Sequence, residues 1–213
     1  MTKLSKSFVF YMKNFDAMQV LNGFDELDDD GIDALFEGSG LKDAQKMVSS
    51  VTDISSNYVF ELIEKIEKRM CSQLTLKRKS KVPIIKRDWE SEYWIGEKKP
   101  EGGDGFLLTL GIYGKSYCKN ADLVFKVTSG FYHFKTQKDK FLRIEEVFPQ
   151  SKLLREEYNM EEFNAGWVPI FDIDIESYEM DEEKIIEEFV QGLFKVLNQE
   201  SLEKIMGVQS QYL

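Results

Sequence analysis

Residues 105–135 contain the pattern that most limits the possible fold of the chain, which is a series of long apolar runs separated by residues typical of turns. The intervening segments, GKSYCKN and SG, have the composition of turns. Residues 106–113 are apolar on both alternating faces, which is typical of a strand covered on both sides. Residues 123–127 alternate less completely and predict a half-buried neighbour. We therefore predict a β-meander at the centre of a sheet.

The remaining periodicity predicts helices packed around this meander. Apolar residues recur at helical spacing in 5–21, 56–74 and 181–197, and shorter helices are expected at 41–50 and 151–158. Ser55, Ser56 and Asn57 are possible N-caps for the helix at 56–74. One further strand is predicted from Trp167 to Glu176, because apolar and acidic residues alternate from Phe171 onward.

The order of these elements predicts an α+β fold with a mainly antiparallel sheet of four to five strands, flanked by amphipathic helices. We interpret residues 1–55 as a helical N-terminal arm or cap and residues 56–213 as the α+β core domain.

The charge balance narrows the classes of partner. The chain of 213 residues carries a formal net charge of −10, with 38 acidic against 28 basic residues. Such a surface repels nucleic acid and anionic membrane, and it favours a basic protein partner. We therefore expect neither direct nucleic-acid binding nor membrane binding.

The cysteine and histidine counts exclude several kinds of site. Cys71 and Cys118 are far apart and lack a CxxC spacing, so neither a disulfide framework nor a zinc site is predicted. His133 is the single histidine, and no serine or cysteine nucleophile motif accompanies it. With no signal peptide visible, we expect a reduced, cytoplasmic protein without a cofactor.

The acidic residues are concentrated in the C-terminal half. Between residues 145 and 188 there are fifteen carboxylates and only three basic residues. We predict that this half binds a basic, nucleic-acid-handling partner or toxin and blocks it by charge mimicry, without catalysis. The predicted partner-binding set comprises Trp167, Glu176, Tyr178, Glu179, Asp181, Glu182, Glu183, Glu187 and Glu188, with the two aromatic residues expected to be exposed.

The alternative is a divalent-metal-dependent enzyme acting on nucleotides or nucleic acid. Asp172, Asp174 and Glu176 alternate along one predicted strand, which places three carboxylates on one face about 7 Å apart. Such oxygen ligands suit Mg²⁺ or Mn²⁺ if another strand completes the site. The basic cluster at 77–87 would then position phosphate.

The predicted order of helix, three-stranded meander, helix, strand and helix resembles the core of restriction-endonuclease-like nucleases. Those enzymes hold a metal ion with an acidic residue on one strand and Glu-x-Lys on the next. No predicted strand here carries Glu-x-Lys, so this resemblance implies an inactive nuclease-like fold.

Two further motifs match binding loops incompletely. Residues 109–116 approach the phosphate-binding pattern GxxxxGK[ST], but Thr109 replaces the first glycine and a strand is predicted where a helix is needed. Residues 26–37 place acidic residues at calcium-loop spacing, but Glu26 stands where aspartate is usual. We interpret the first as a hairpin turn and the second as an acidic connector.

Overall fold

The computed structural model describes nine segments of the chain, which are residues 3–14, 41–71, 77–82, 88–95, 106–113, 125–132, 144–157, 167–178 and 181–206. Within them lie five named helices: α1 (Lys6–Lys13), α2 (Leu41–Cys71), α3 (Ser151–Glu157), α4 (Glu182–Val196) and α5 (Gln199–Met206). The strands are β1 (Lys77–Val82), β2 (Asp88–Ile95), β3 (Phe106–Tyr113), β4 (Lys126–Tyr132) and β5 (Trp167–Asp174). A 3₁₀ turn, Ile175–Tyr178, follows β5 directly.

The five strands form one sheet in the order β1-β2-β3-β4-β5, and every neighbouring pair is antiparallel. The predicted α+β class with a mainly antiparallel sheet is confirmed. In β3, Leu108 and Leu110 are buried on one face, and Thr109 and Gly111 are buried on the other. The strand is therefore covered on both sides, as its apolar composition predicts.

A β-bulge shapes the pairing of β4 with β5. Ser129 pairs with Phe171 and Gly130 pairs with Pro169, which leaves Ile170 as the extra residue. The Gln150 side-chain amide, just before α3, donates a hydrogen bond to the Ile170 carbonyl at 3.1 Å. This hydrogen bond gives the carbonyl of the bulged residue a partner, and it connects the start of α3 to β5.

A short chain of buried hydrogen bonds joins β3, β4 and β5. Trp167 Nε1 donates to Thr109 Oγ1 at 2.9 Å, and the same hydroxyl donates to the Gly130 carbonyl at 3.2 Å. Ser129 Oγ donates to the Thr109 carbonyl at 2.8 Å. Because all these polar groups are buried, their pairing removes a desolvation penalty that any mispaired register would incur.

Helix α4 packs its apolar stripe against β5. The stripe consists of Ile185, Ile186, Phe189, Val190 and Leu193, all buried. Phe171 of β5 lies 5.6 Å from Phe189 between ring centroids, and an added Cβ at Gly192 would meet the Phe171 ring at 2.2 Å. Gly192 therefore allows the helix to approach the ring closely. The predicted helix at 181–197 is confirmed.

Helix α2 corrects the prediction of two separate helices at 41–50 and 56–74. It is continuous from Leu41 to Cys71, and Ser55 lies inside it rather than at an N-cap. Ser55 is fully buried on the same face as Val48, Val59 and Leu62. Burial of that continuous face outweighs the weak preference of serine for a helix start.

The chain divides into two compact units, residues 3–61 and residues 62–213. In the first unit, α1 buries Phe8, Tyr11 and Met12, and the Phe8 ring lies 5.6 Å from that of Tyr58. The predicted domain boundary at residue 55 stays a prediction. Among the helices that the structure describes, none has the length and apolarity needed to cross a membrane.

We expect Gly130→Ala to destabilise the fold by about 1–3 kcal/mol, the usual cost of overpacking. A Cβ there would lie 2.7 Å from the Val168 carbonyl oxygen and 2.7 Å from Trp167 Nε1. Neither atom can retreat without disturbing the sheet. Urea unfolding should show a lower midpoint with an unchanged m-value.

Gly192→Ala provides the comparison, because the obstructing atom there is the end of the half-buried Phe171 ring. A change in the χ1 angle of Phe171 moves the end of the ring away, and this, together with the better helix propensity of alanine, should make this substitution less costly than Gly130→Ala. A Gly130→Ala protein as stable as the wild type would show that β4 and β5 are not as close as described.

Candidate interaction site

Three carboxylates of α4 lie exposed outside its buried stripe, on either side of the exposed Lys184. They belong to Glu183, Glu187 and Glu188, which we name the acidic surface. Glu183 and Glu187 are one turn apart, about 6 Å along the helix axis. Glu187 also accepts a hydrogen bond from the Gln191 side chain at 3.0 Å. These three members of the predicted partner-binding set are available to a partner.

The expectation that Asp181 and Glu182 lie on the surface was wrong, because both residues are buried. Asp181 is the N-cap of α4, and its Oδ1 accepts a hydrogen bond from the Lys184 amide at 3.3 Å. The Glu182 side chain is only 3% exposed and accepts a hydrogen bond from Lys65 Nζ at 2.6 Å. Both carboxylates therefore stabilise the start of the helix, where negative charge complements the helix dipole.

The prediction for Trp167 was also wrong, because its side chain was expected to be exposed and is only 1% exposed. Its indole is held inside the core by the hydrogen bond to Thr109. The sequence carries a signal for this placement: residues 167–170 are an uninterrupted apolar run, and all four are buried. Such a run indicates a strand covered on both faces, not an aromatic residue facing solvent.

The 3₁₀ turn carries two further residues of the predicted set. Glu176 is exposed and Tyr178 is half-buried, and their turn contacts α4. Strand β5 ends before Ile175, where the turn begins, so Glu176 does not continue the alternation of the strand. The prediction of a strand that reaches Glu176 was therefore wrong. Glu179 lies outside the described residues.

Two cations of α2 lie beside the first turn of α4, and neither was among the predicted site residues. Lys65 and Arg69 are one helical turn apart, and they face Glu182 and Glu183. The Arg69 guanidinium lies 3.7 Å from Glu183, with both side chains more than half exposed. The two helices are distant in sequence, so only the tertiary structure brings these charges together.

The carboxylates proposed as metal ligands are engaged in other contacts. Asp172 Oδ2 accepts a hydrogen bond from Lys126 Nζ at 2.9 Å. Asp174 Oδ1 accepts one from the Glu176 backbone amide at 2.9 Å. Within the described segments, no three histidine, cysteine, aspartate or glutamate side chains are grouped to hold a metal ion. The Mg²⁺ or Mn²⁺ site therefore gains no support and stays a prediction.

Asp172 belongs instead to a partly buried cluster with Lys126 and Glu157, which we name the Lys126 cluster. Lys126 Nζ donates to Glu157 Oε2 at 2.7 Å as well as to Asp172, and the lysine side chain is 9% exposed. Burial alone lowers the pKa of Lys126. The hydrogen bond to Glu157 and the interactions with Asp172 outweigh burial, so the pKa is raised above its ordinary 10.5.

The Lys126 cluster has a structural consequence. Glu157 is the last residue of α3, and Gln150 precedes its first residue. The helix is thus held against the sheet at both ends, by a charged contact at its end and by the bulge carbonyl at its start. A lysine that remains protonated is suited to this role rather than to acting as a nucleophile or a base.

The other candidate residues lie outside the described segments. These are His133, the acidic connector at 26–37 and the turn that follows β3 in the phosphate-loop-like segment. Strand β3 itself runs to Tyr113, in agreement with a strand before that turn.

Comparison with known proteins assigns no family. No protein-family model, curated protein or solved structure matches this chain. The chemistry of the described surfaces is therefore the basis for a functional proposal.

We expect Lys126→Met to destabilise the protein by about 3–5 kcal/mol, the usual cost of removing one partner from a buried ion pair. The substitution leaves Asp172 and Glu157 close together without the cation. Urea unfolding measures the loss. Lys152→Met, at an exposed position of α3, is the matched control and should change stability by less than about 0.5 kcal/mol.

The triple variant Lys126→Met, Glu157→Gln, Asp172→Asn tests the cause of that loss. It removes all three charges, so it should recover much of the stability lost in the single variant. If the single variant loses less than about 1 kcal/mol, the cluster does not contribute as proposed.

The Lys126 cluster also predicts a pH dependence. Because the pKa of Lys126 is raised in the folded state, its contribution is fully present below the unfolded pKa, near 10.5. The contribution is lost as the pH rises through the folded pKa. Wild-type and Lys126→Met proteins should therefore differ in unfolding free energy by a constant amount from pH 7 to 10, and the difference should shrink above pH 10.5. A difference that stays constant to pH 12 would contradict the pairing.

Proposed function

We propose that this protein is a non-catalytic binding protein whose acidic surface binds a basic partner. The partner is a nucleic-acid-handling protein or a toxin, and binding blocks its cationic groove by charge mimicry. The observation that carries the proposal is that Glu183, Glu187 and Glu188 lie exposed on one side of α4 while its other side is buried.

The distribution of charge along the chain supports an acidic partner-binding region. The segment from residue 145 to residue 188 has fifteen carboxylates and three basic residues, a net charge of −12, whereas the whole chain carries −10. The rest of the chain is therefore slightly positive. Where carboxylates of this segment are exposed, as Glu183, Glu187 and Glu188 are, they steer a basic partner toward α4 and accelerate association.

The fixed position of α4 favours a role of its carboxylates in recognising a partner over a role in solubility alone. Its first turn is capped by Asp181 and held by the buried Glu182–Lys65 pair. Its inner side packs on β5 through Phe189 and through the close approach at Gly192. Carboxylates on such a helix are already in place before the partner arrives, so binding costs little backbone ordering.

The spacing of the carboxylates suits a nucleic-acid-binding groove. Glu183 and Glu187 are separated by about 6 Å along the helix axis. Each strand of duplex DNA presents a phosphate about every 3.4 Å of its axis, so the two carboxylates match the separation of about every second phosphate. Exposed Glu176 and half-buried Tyr178, in the turn that contacts α4, extend the same region with one charge and one aromatic ring.

Reversing the acidic surface should weaken binding to a cationic probe at least tenfold. The variant is Glu183→Lys, Glu187→Lys, Glu188→Lys, and the probe is a fluorescein-labelled deca-arginine peptide at about 0.15 M salt. Each exposed charge pair contributes about 0.2–1 kcal/mol, and reversal replaces attraction with repulsion at three positions. Fluorescence anisotropy gives the dissociation constant.

The matched control is Asp53→Lys, Glu61→Lys, Glu200→Lys, which reverses three exposed carboxylates outside both α4 and the segment from residue 145 to residue 188. It produces the same change in net charge and should weaken binding less than threefold. Equal losses in the two variants would mean that the probe responds to overall charge, and the proposed interaction site would be wrong. Circular dichroism should show unchanged helix content in both.

A further inference from the structure

An apolar stripe runs along one side of the N-terminal part of α2. Met47 is 69% exposed and Ile54 is 55% exposed, and Val51 lies half-buried between them. Residues spaced by four and three positions share one side of a helix, so these three side chains form a continuous row, which we name the α2 stripe. Two of the four large apolar residues that are exposed in the described segments belong to it. Their alignment distinguishes them from the singly exposed apolar residues found on most proteins.

Ser50 lies beside the α2 stripe and loses no hydrogen bond if a partner covers it. Its side chain is exposed, and its Oγ donates to the Lys46 carbonyl, one turn earlier, at 2.8 Å. A buried hydroxyl is costly when it lacks a partner, but this hydroxyl already has one within its own helix. Because serine is small, a second helix can also approach closely at this point.

The charges beside the α2 stripe identify the helix that would cover it. Lys46 and Asp53 are both exposed, and they stand seven residues apart on the same flank of the stripe. When two such helices lie antiparallel, identical flanks face each other. Lys46 of one copy then lies opposite Asp53 of the other, and the converse contact follows by symmetry. The flanking charges are therefore complementary to those of a second, antiparallel copy.

We propose that the α2 stripe pairs with the α2 stripe of a second copy, with the two helices antiparallel and the twofold axis between Ser50 and Val51. Met47 of each copy packs on Ile54 of the other, because these two residues are equally distant from the axis. Two symmetric Lys46–Asp53 pairs flank the apolar contact. The inference is independent of the acidic surface on α4 and of the proposed function.

Ile54→Lys should abolish dimerisation, and Ser49→Lys should not. Because the stripe is short, we expect a small interface and a wild-type dissociation constant of about 0.1 mM, measured by sedimentation equilibrium of the full chain up to about 1 mM. A lysine in the apolar contact should weaken dimerisation at least about tenfold. Ser49 is exposed about half a turn away from the stripe, so the same charge there should change the constant less than about twofold.

A wild-type protein that is monomeric at about 1 mM would overturn the proposal, as would equal effects of the two lysine substitutions. With the expected constant, the protein is largely monomeric at the micromolar concentrations used to measure probe binding. The tests of the two proposals are therefore separate.

Exchanging the flanking charges tests the antiparallel arrangement. Lys46→Glu places two carboxylates opposite each other at both symmetric positions, so it should weaken dimerisation about three- to tenfold. The double variant Lys46→Glu, Asp53→Lys restores opposite charges and should dimerise within about twofold of the wild type. Lys68→Glu, at an exposed position of α2 beyond the stripe, matches the charge of the single variant and should have little effect. A double variant as weak as the single one would contradict the antiparallel pairing.

Cysteine cross-linking locates the twofold axis. In a protein with Cys71→Ser and Cys118→Ser, the added substitution Ser50→Cys should give a disulfide-linked dimer under mild oxidation, because a residue beside the axis meets its own counterpart. Ser49→Cys, on the other flank of α2, should cross-link at least about fivefold more slowly. Equal rates would mean that the copies meet at random, and the proposed interface would be wrong.

Discussion

The burial of the apolar stripe of α4 on β5 is the contact on which the position of the acidic surface depends. It determines the rotation of the helix about its own axis, and with it which carboxylates face solvent and which do not. Gly192 permits this packing by leaving space for the Phe171 ring. Since helix side chains repeat every 3.6 residues, burying one stripe leaves Glu183, Glu187 and Glu188 exposed outside it, with Lys184 at the centre of the exposed side.

The charged groups of this protein divide according to how much solvent reaches them. Lys126 is held between Asp172 and Glu157 with almost no exposure, and Glu182 is enclosed beside Lys65. Removing the lysine from such a contact is costly because little solvent reaches the carboxylates of Asp172 and Glu182 that remain. Both side chains of the Arg69–Glu183 pair are more than half exposed, so water can solvate either charge when this contact is lost. Consecutive carboxylates of the same short acidic sequence, Glu182 and Glu183, therefore differ in burial and in the contact that each makes.

Much of the fold follows from local pattern. The apolar composition of residues 106–113 predicts a strand covered on both faces, and the stripe and acidic start of residues 181–197 predict α4; both are confirmed. The break predicted within α2 was wrong because capping preferences at Ser55 are weak beside the burial of a continuous face. The strand predicted to reach Glu176 was wrong because the 3₁₀ turn begins at Ile175, and alternation of residue types does not report a change of backbone direction. The sequence predicted that the candidate site is acidic. It did not predict that Trp167, Asp181 and Glu182 are buried.

The sequence by itself determined the α+β class, the antiparallel meander, the amphipathic character of α4 and the concentration of negative charge, because each depends on residue periodicity or composition along a short stretch. Only the tertiary structure decided which charges are paired. Lys126 meets Asp172 across 46 positions and Lys65 meets Glu182 across 117, so neither contact leaves a local signal. The physical reason is that solvent exposure and ion pairing depend on what packs beside a residue, and for these residues the neighbours come from distant parts of the chain.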